Sequence, residues 1–479
     1  MEPLENLRRE RLKKLKSLKK LGIDPFPAKA TKKQTISDCR TSLNKSVTTA
    51  GRIMALRTHG GLAFADLVDD TGKIQLLFSK ERLGDKNYQI LEYLDIGDFL
   101  QAEGQVGKTQ AGEVTIFVKD FKILAKSIRP LPSKWHGLKD VEERFRKRYL
   151  DLIFNPEIKK IFILKTKFWE NVRNYLKVED FIEVETPALE QVPGGADARP
   201  FITHHAALDL DLYLRISLEL HLKRLVVAGF EKVFEIGRVF RNEGIDSEHL
   251  QDYTQLEFYW AYANYSDLEK FIRDFYRTVI SKTFGTLKFK FDGVEIDWGA
   301  KWDKIDYFEV FKKETGLNLE KVTENQLREY AKKIGTAPPE FYGKGRLIDL
   351  IYKKKIRPKL AQPAFLINHP IEISPLAKKL ENDQRKVQRL QVVGFGSELG
   401  NGWSEINDPV DQKERFEEQG KLRKAGDEEA QMADWDFIEA LEYGMPPTAG
   451  FGLSERLFAK LVGKSMREVV FFPTVKPKK

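Results

Sequence analysis

The chain is 479 residues long, 41% hydrophobic and 32% charged, which is enough for two or three domains around a sizeable core. It has no run of 18 apolar residues to span a membrane, and its N-terminus lacks the apolar stretch of a secretory signal. The single Cys39 can form neither an internal disulfide nor a thiolate zinc cage, and none of the 7 histidines has metal-site spacing, so a cytoplasmic protein is expected. A net charge of +9 favours a polyanionic partner without establishing one.

In chain order, residues 8 to 20 place Arg8, Arg9, Arg11, Lys13, Lys14, Lys16, Lys19 and Lys20 between leucines 7, 12, 15 and 18. This predicts a basic helix with a narrow apolar seam, either solvated and packed on its leucines or serving as a phosphate-contacting arm. Pro25 and Pro27 end the pattern. Five strand-like segments follow: VTTAGRIMAL, LAFADLV, KIQLLF, DFLQAEGQV and EVTIFVKDFKIL, with HGG, DDTG and GKTQAG marking turns. Five short strands in about 80 residues suit a small barrel of the oligonucleotide-binding type, and a single sheet is the alternative. After a linker containing Pro130 and Pro132, Ile161, Leu164, Phe168, Val172, Tyr175 and Leu176 recur at helical spacing. FIEVET then reads as a strand stopped by Pro187. Charged helical segments from about 303 to 360 read as a surface-facing insertion.

The stretch VFEIGRVFRNEGIDSEHLQDYTQLEFYWAY predicts a β-hairpin with unequal faces. Phe234, Ile236 and Phe240 alternate with Gly237, Arg241 and Glu243, and on the return Leu256, Phe258 and Trp260 alternate with Tyr253, Gln255, Glu257 and Tyr259. The pairing would lay an apolar layer beneath a polar floor of one arginine, two carboxylates and two tyrosines. An ordinary half-solvated sheet gives the same alternation, although solvent faces favour Lys and Thr over this mixture.

At this point the residues match a family. The hairpin resembles motif 2 of class II aminoacyl-tRNA synthetases, in particular the bacterial-type lysyl-tRNA synthetases. FIEVETPALEQVPGGADARPF looks like motif 1 with its extension, GMPPTAGFGLSERLFAKL looks like motif 3, and the five-strand segment is similar to the anticodon-binding barrel of these enzymes. The motifs come in the right order over essentially the whole chain, and the HIGH and KMSKS signatures of class I are missing. The resemblance implies an α+β protein. A basic helical extension (1–46) would precede an OB-type five-stranded barrel (47–126) and a linker (127–144). A class II catalytic domain would follow (145–479), built on an antiparallel sheet flanked by helices and carrying an insertion at about 285–360.

It also implies a reaction: lysine is activated with ATP to lysyl-adenylate and pyrophosphate, then transferred to the 3′ end of lysine tRNA. Phosphoryl-type transfer needs positioning and charge neutralisation, which a guanidinium fork supplies. By resemblance Arg241 bridges the lysine carboxylate and the α-phosphate, and Arg456 clamps the γ-phosphate. Ser454 before Arg456 reads as a helix cap. Glu243, His249 and Glu398 belong to the ATP side, and Tyr253 stacks on adenine. Glu219 receives the α-amino group, Glu257, Tyr259 and Glu405 line the side-chain end, and Asn401 and Trp403 share strand parity with Glu405. Mg2+ would be held by Glu398 and by position 391, where the family usually has Glu and this chain has Gln391. In the barrel Arg57, Phe64 and Gln75 would read anticodon bases, Phe64 by stacking. Without the family, Phe64 reads as barrel core, Arg456 as an arginine on a helix and Glu405 as a surface residue.

Other departures are Trp403 in place of the usual Phe, Ser454-Glu455 in place of Ile-Asp, and Glu248 in place of a small or basic residue. The first two imply repacking, and the third implies slightly weaker contacts to ATP or the acceptor end. A homodimer is expected, because motif 1 builds the family's dimer interface. Two alternatives remain: the lysine-activating paralogue that modifies elongation factor P, which lacks the barrel, and a catalytically silent RNA-binding protein.

Overall fold

The computed structural model describes residues 4–132, 140–244, 246 and 248–477. Part of the expected linker (133–139), and Ile245 and Ser247 of the hairpin turn, lie outside the described residues. The chain divides into two compact units, Met1–Lys139 and Asp140–Lys479.

In the first unit the helix Leu4–Lys20 and a short helix Ile36–Thr41 precede five strands. These are β1 (Ser46–His59), β2 (Leu62–Val68), β3 (Lys73–Ser79), β4 (Phe99–Lys108) and β5 (Val114–Ala125). They close into a barrel in the order β1-β2-β3-β5-β4, so the single-sheet alternative does not hold. The period-two alternation is realised directly. Ala63, Ala65 and Leu67 on β2 and Ile74, Leu76 and Phe78 on β3 are buried inside, and their neighbours face out. Closure requires close approach at Gly104, where a Cβ would lie 2.2 Å from the Phe117 carbonyl oxygen. The strand pattern gave no sign of the helix Lys80–Gln89 that follows β3. Gly84, inside it at φ 73°, interrupts the helical period.

The basic helix is present, but its seam is only partly apolar. Leu18 is fully buried, Leu7 is exposed, and the anchoring residue is a cation. The Arg11 guanidinium donates to the carbonyls of Ile96 (3.0 Å), Ser127 (3.0 Å) and Arg129 (3.3 Å), and Lys14 pairs with Asp95 at 2.9 Å. Those two cations are therefore spent within the unit. Neither of the two expected forms, a helix seated on leucines or a free phosphate arm, describes them.

The second unit is built on an eight-stranded sheet. Its strands and the smaller ones beside it are β6 (Ile182–Glu183), β7 (Leu189–Glu190), β8 (Ile202–His205), β9 (Leu210–Leu214), β10 (Lys232–Phe240), β11 (Asp252–Ala261), β12 (Lys288–Phe291), β13 (Val294–Asp297), β14 (Asp303–Asp306), β15 (Ala364–Ile367), β16 (Arg389–Gly394), β17 (Ser397–Ser404) and β18 (Thr448–Ser454). The main sheet runs β14-β15-β16-β17-β18-β11-β10-β6. It is antiparallel except at its two edges, β14 with β15 and β6 with β10. One face is backed by the helices Pro156–Val178 and Tyr265–Phe284. Phe168, Val172 and Leu176 of the first, and Leu268, Ile272 and Tyr276 of the second, pack with Phe234, Leu256, Phe258 and Phe451 from the sheet. The expected helical spacing is thus the core-facing stripe of the first helix. FIEVET contributes only two paired residues.

The charged segment 303–360 is more than a surface insertion. Its first strand, β14, extends the main sheet. Its helices Tyr307–Thr315, Glu324–Lys333 and Lys344–Ile351 bury Phe311, Leu327, Leu347 and Ile351 with Leu366 and Val393 of the sheet. Lysines and glutamates dominate its composition because they cover the outer faces, and that composition hides the apolar stripe beneath. No helix among the described residues is long and apolar enough to cross a membrane.

Candidate active site

The hairpin register fixes the floor of the site. β10 and β11 pair Val233 with Tyr259, Glu235 with Glu257, Gly237 with Gln255 and Val239 with Tyr253, which puts these eight residues on one face. Phe234 and Phe258, and Ile236 and Leu256, pair on the other face and enter the core. β18 lies against β11 and β17 against β18, so motif-distant residues become neighbours: Gly450 pairs with both Tyr259 and Trp403, and Gly452 with both Glu257 and Asn401. Above this floor opens a cleft of about 920 Å3. Glu219, Arg241, Glu243, His249, Tyr253, Glu257, Tyr259, Gln391, Glu398, Asn401, Trp403 and Arg456 all line it. Glu405 does not. Its carboxylate lies on the same side of the sheet as the floor residues but closed off from the cleft, with Oε1 2.1 Å from where a Cβ on Gly450 would fall.

One end of the cleft is cationic. Arg241 lies just past β10, where its Nε donates to the Ile216 carbonyl (3.2 Å) and its guanidinium lies 5.6 Å over the Tyr253 ring. Arg456 starts the helix Arg456–Leu461 and makes a long contact, 3.4 Å, to the Glu398 carbonyl. Its Nε is buried with no partner. Neither arginine has an ion-pair partner among the described residues. Two guanidiniums left without anions in a cleft are costly unless an anion arrives, and their planar forks suit phosphate and carboxylate oxygens. Ser454 is not the cap of this helix. The cap position is Glu455, which makes no capping bond, and the Ser454 hydroxyl instead accepts from the Arg456 N–H at 3.3 Å. Glu455 is turned inward, where it pairs with Lys165 and accepts from the Thr254 N–H.

The hairpin turn is anchored by Glu248. Its carboxylate pairs with Lys460 (2.8 Å) and Arg357 (3.2 Å) and accepts from the Ser397 hydroxyl (2.8 Å). Burial pushes this carboxyl up, but Lys460, Ser397 and Arg357 outweigh burial and hold it down at about 2. An acid at this position is therefore part of the loop's attachment and not simply a repulsive charge beside the substrate. His249, next to it, pairs through Nδ1 with Asp246 at 2.8 Å.

The other end is acidic and closed. Glu257 is almost fully satisfied: Oε1 accepts from the Ser217 hydroxyl (2.6 Å), the Leu218 N–H (3.0 Å) and the Gln255 amide, and Oε2 accepts from the Tyr259 hydroxyl (2.9 Å). Glu405 Oε2 accepts from the Trp403 indole at 2.7 Å, while Oε1 is buried with no partner. Between Glu219 and Glu405 stands a residue that the sequence reading did not single out, Lys223. It is fully buried, 2.5 Å from Glu219 and in direct contact with Glu405. Burial pushes Glu219 and Glu405 above the usual carboxylate range, and Lys223 only partly draws them back. The signal was available: Glu219 and Lys223 are four apart on the helix Glu219–Val227, a spacing that pairs charges on one face. Also missed was Glu235, which shares the parity of the polar floor. It forms a buried 2.7 Å pair with Arg215 and accepts from Thr186.

At the position where the family usually has a second acid, Gln391 is buried and engaged. Its amide oxygen accepts from the Tyr352 hydroxyl (3.1 Å) and its amide nitrogen donates to Asn401 (3.0 Å). Asn401 Oδ1 also accepts from Arg389 at 2.9 Å. No group of three His, Cys, Asp or Glu among the described residues could hold a metal ion. Glu398 remains as the one carboxylate of the two positions.

In the barrel, Arg57 and Phe64 are cross-strand partners on β1 and β2, and Gln75 follows on β3 opposite Asp66. Arg57 is exposed, and Phe64 and Gln75 are half-buried on the outer face. Phe64 is thus not barrel core. Gln75 accepts from the Thr115 hydroxyl at 3.0 Å.

The family model for class II tRNA synthetases (D, K and N) matches residues 140–476, and that for OB-fold nucleic acid binding domains matches residues 47–124. The chain is 46% identical over 485 residues to a protein of Thermoanaerobacter pseudethanolicus named Lysine--tRNA ligase, covering 100% of this chain and 97% of that one. A Bacillus subtilis protein of the same name is 43% identical over 489 residues, covering 99% and 98%. A third, from Moorella thermoacetica, is 43% identical over 485 residues, covering 100% and 99%.

Proposed function

The chain belongs to the class II tRNA synthetases, and from that premise we propose how its cleft joins lysine to tRNA. The reaction is lysine–tRNA ligation, by way of lysyl-adenylate. The observation that carries the site assignment is polarity along one cleft: two guanidiniums without anions at one end, and three buried carboxylates at the other. Lysine brings an ammonium at each end of its chain and a carboxylate near one of them, and ATP brings the phosphates.

Arg241 bridges the lysine carboxylate and the α-phosphate. It holds nucleophile and electrophile together and neutralises charge as pyrophosphate leaves. Arg456 takes the γ-phosphate. Glu243 and His249 face the nucleotide, and Tyr253, already beneath Arg241, offers its remaining surface to adenine. Glu219 takes the α-amino group. Glu257, held by Ser217 and Leu218, fixes the Tyr259 hydroxyl, and the unpartnered oxygen of Glu405, over Gly450, takes the side-chain ammonium. Asn401 and Trp403 hold the wall between them.

A buried carboxylate without its cation costs about 1–3 kcal/mol or more, so neutral amino acids are disfavoured. Mg2+ fits through Glu398 together with ATP oxygens, since this ion commonly uses one or two carboxylates plus phosphates. When bound, it neutralises phosphate charge. Gln391 would be a weaker second ligand, because its oxygen carries no charge and already accepts from Tyr352. Gln391→Glu is expected to lower the Mg2+ concentration needed for half-maximal exchange, read by Mg2+ titration.

Lysine binding should depend on pH with a definite sign. Glu219 and Glu405 titrate above the ordinary carboxylate range, and an ammonium binds their ionised forms. The KM for lysine should therefore fall as pH rises through neutrality, by up to about tenfold per pH unit below the controlling pKa. A lysine KM that is flat from pH 6 to 8 contradicts the assignment.

The second step draws on the barrel, whose outer face offers Phe64 for base stacking and Arg57 and Gln75 for base edges. Phe64→Ala should leave ATP–pyrophosphate exchange intact and slow tRNA charging by about tenfold, in keeping with about 1–3 kcal/mol for one stacked base. Equal damage to both activities would remove the anticodon role. The overall test is lysine-dependent exchange followed by charging of lysine tRNA; exchange without charging would favour the paralogue that modifies a protein. The same reading expects a cytoplasmic homodimer, and light scattering on the purified protein tests the dimer.

A further inference from the structure

Lys223 is a cation buried between Glu219 and Glu405 in the acidic end, and the reaction scheme gives it no part. It lies on the helix Glu219–Val227 with no exposed surface, pairs along its own helix with Glu219 at 2.5 Å, and pairs across to Glu405 at the end of β17. The aromatic rings of Tyr259 and Phe437 flank its ammonium at 5.9 and 5.8 Å. Each acid gives Lys223 a single oxygen. Glu405 Oε1 is left unpartnered over Gly450, and Glu219 lines the cleft.

The charged and titratable groups around the ammonium can be counted by element. Its own helix supplies Glu219, β11 supplies Glu257 and Tyr259, and the end of β17 supplies Glu405. The helix Trp435–Glu442 presents the Phe437 ring, while its capping Asp434 is taken by Arg224 at 2.9 Å. Arg389, on β16, is committed to Asn401 and to the Trp403 ring at 5.5 Å. Two carboxylates therefore pair with the Lys223 ammonium, and the third, Glu257, raises Glu219 beside it. Two buried acids so close together would share protons unless a cation separates them.

Resting on the lysine reading above, we propose that Lys223 is a positioning residue for substrate selection: its ammonium is a permanent counterion that lowers the pH at which the buried Glu219 and Glu405 ionise, leaving each acid one oxygen for the substrate's own ammonium groups. Lys223 is not a place-holder that the substrate displaces. With it, the cleft presents a surplus of negative charge that matches a substrate carrying two ammoniums. Without it, the two acids take up protons and become neutral hydrogen-bonding groups.

The test is the pH profile of lysine-dependent ATP–pyrophosphate exchange from pH 6 to 9 for the wild-type protein, Lys223→Met, Lys223→Arg and Glu405→Gln. In Lys223→Met the acid limb of the lysine kcat/KM should move up by at least one pH unit. Lysine KM should then be raised about tenfold at pH 7 and recover toward pH 9, with the KM for ATP unchanged. Lys223→Arg, which keeps the charge, should retain the wild-type limb. An elevation of lysine KM by the same factor at every pH, or one shared with ATP, would show a merely structural role and overturn the proposal. So would an unchanged profile.

Glu405→Gln separates the two levels of the argument. If it leaves lysine KM untouched, the underlying lysine assignment fails, whatever Lys223 does. Should Lys223→Met not fold, proton release on lysine binding to the wild-type protein decides the matter by calorimetry in buffers of different ionisation enthalpy. The resident cation predicts fewer than two protons released per lysine at pH 7. Two released protons would mean that both acids rest neutral beside Lys223, which overturns the proposal.

Discussion

Arg241→Ala is expected to reduce lysine-dependent ATP–pyrophosphate exchange by about a thousandfold in kcat, the scale seen when one preorganised transition-state donor is lost. Among the described residues the side chain is held by one hydrogen bond to the Ile216 carbonyl and by the Tyr253 ring, and it has no ion-pair partner. Truncation should therefore leave the fold intact, with an unfolding midpoint close to wild type, while removing the group that spans both reactants. Arg241→Lys should recover little, because a point charge cannot hold two oxygens in a fixed fork. A variant retaining more than about a tenth of wild-type kcat would place the reacting centre elsewhere in the cleft.

Gly450→Ala should be nearly as severe, for a steric reason. Its backbone is ordinary strand, paired with Tyr259 on one side and Trp403 on the other, so no unusual φ demands glycine. Space demands it. An added Cβ would lie 2.1 Å from Glu405 Oε1 and 2.5 Å from the Tyr259 ring, both buried. The methyl group would occupy the deep end of the cleft and cover Glu405 Oε1, which is buried without a hydrogen-bond partner. The expected result is a lysine KM raised by about a hundredfold or more, with ATP affinity retained, and a stability cost of about 1–3 kcal/mol from overpacking. Exchange kinetics at varied lysine and a denaturant melt read both. An unchanged lysine KM would mean that the side-chain ammonium does not reach Glu405.

These two positions differ in how far the sequence exposed them. Arg241 stood out because it ended a two-faced strand and fell within a motif whose neighbours could be named. Gly450 was visible only as one glycine of PPTAGFG. Its reason for being glycine depends on β11, β17 and β18 lying side by side, three segments up to about two hundred residues apart in the chain. Glu405 shows the same limit from the other direction. Strand parity grouped it with Asn401 and Trp403, but only packing buried it over Gly450 against Lys223 and not on the cleft wall. Phe64 shows the limit of periodicity itself: a phenylalanine in a strand reads as core until neighbouring strands show which face is inside. The helices of 303–360 were misjudged because composition reports the charged outer faces and is nearly blind to a stripe of one apolar residue in three or four.

By itself the sequence determined what is local or repeated along the chain: the five strands and their alternation, the core stripe of the helix Pro156–Val178, the apolar and polar faces of the hairpin, and a run of motifs in one order. Those features follow from backbone periods of 2 and 3.6, which any stretch of residues displays without help from the rest. Only the tertiary structure decided how the groups meet. It placed Lys223 between Glu219 and Glu405, tied Glu248 to Lys460 and Arg357, and gave Gln391 to Tyr352. Burial and charge pairing depend on distances between segments remote in sequence, and these determine which acids stay ionised and which oxygens remain free.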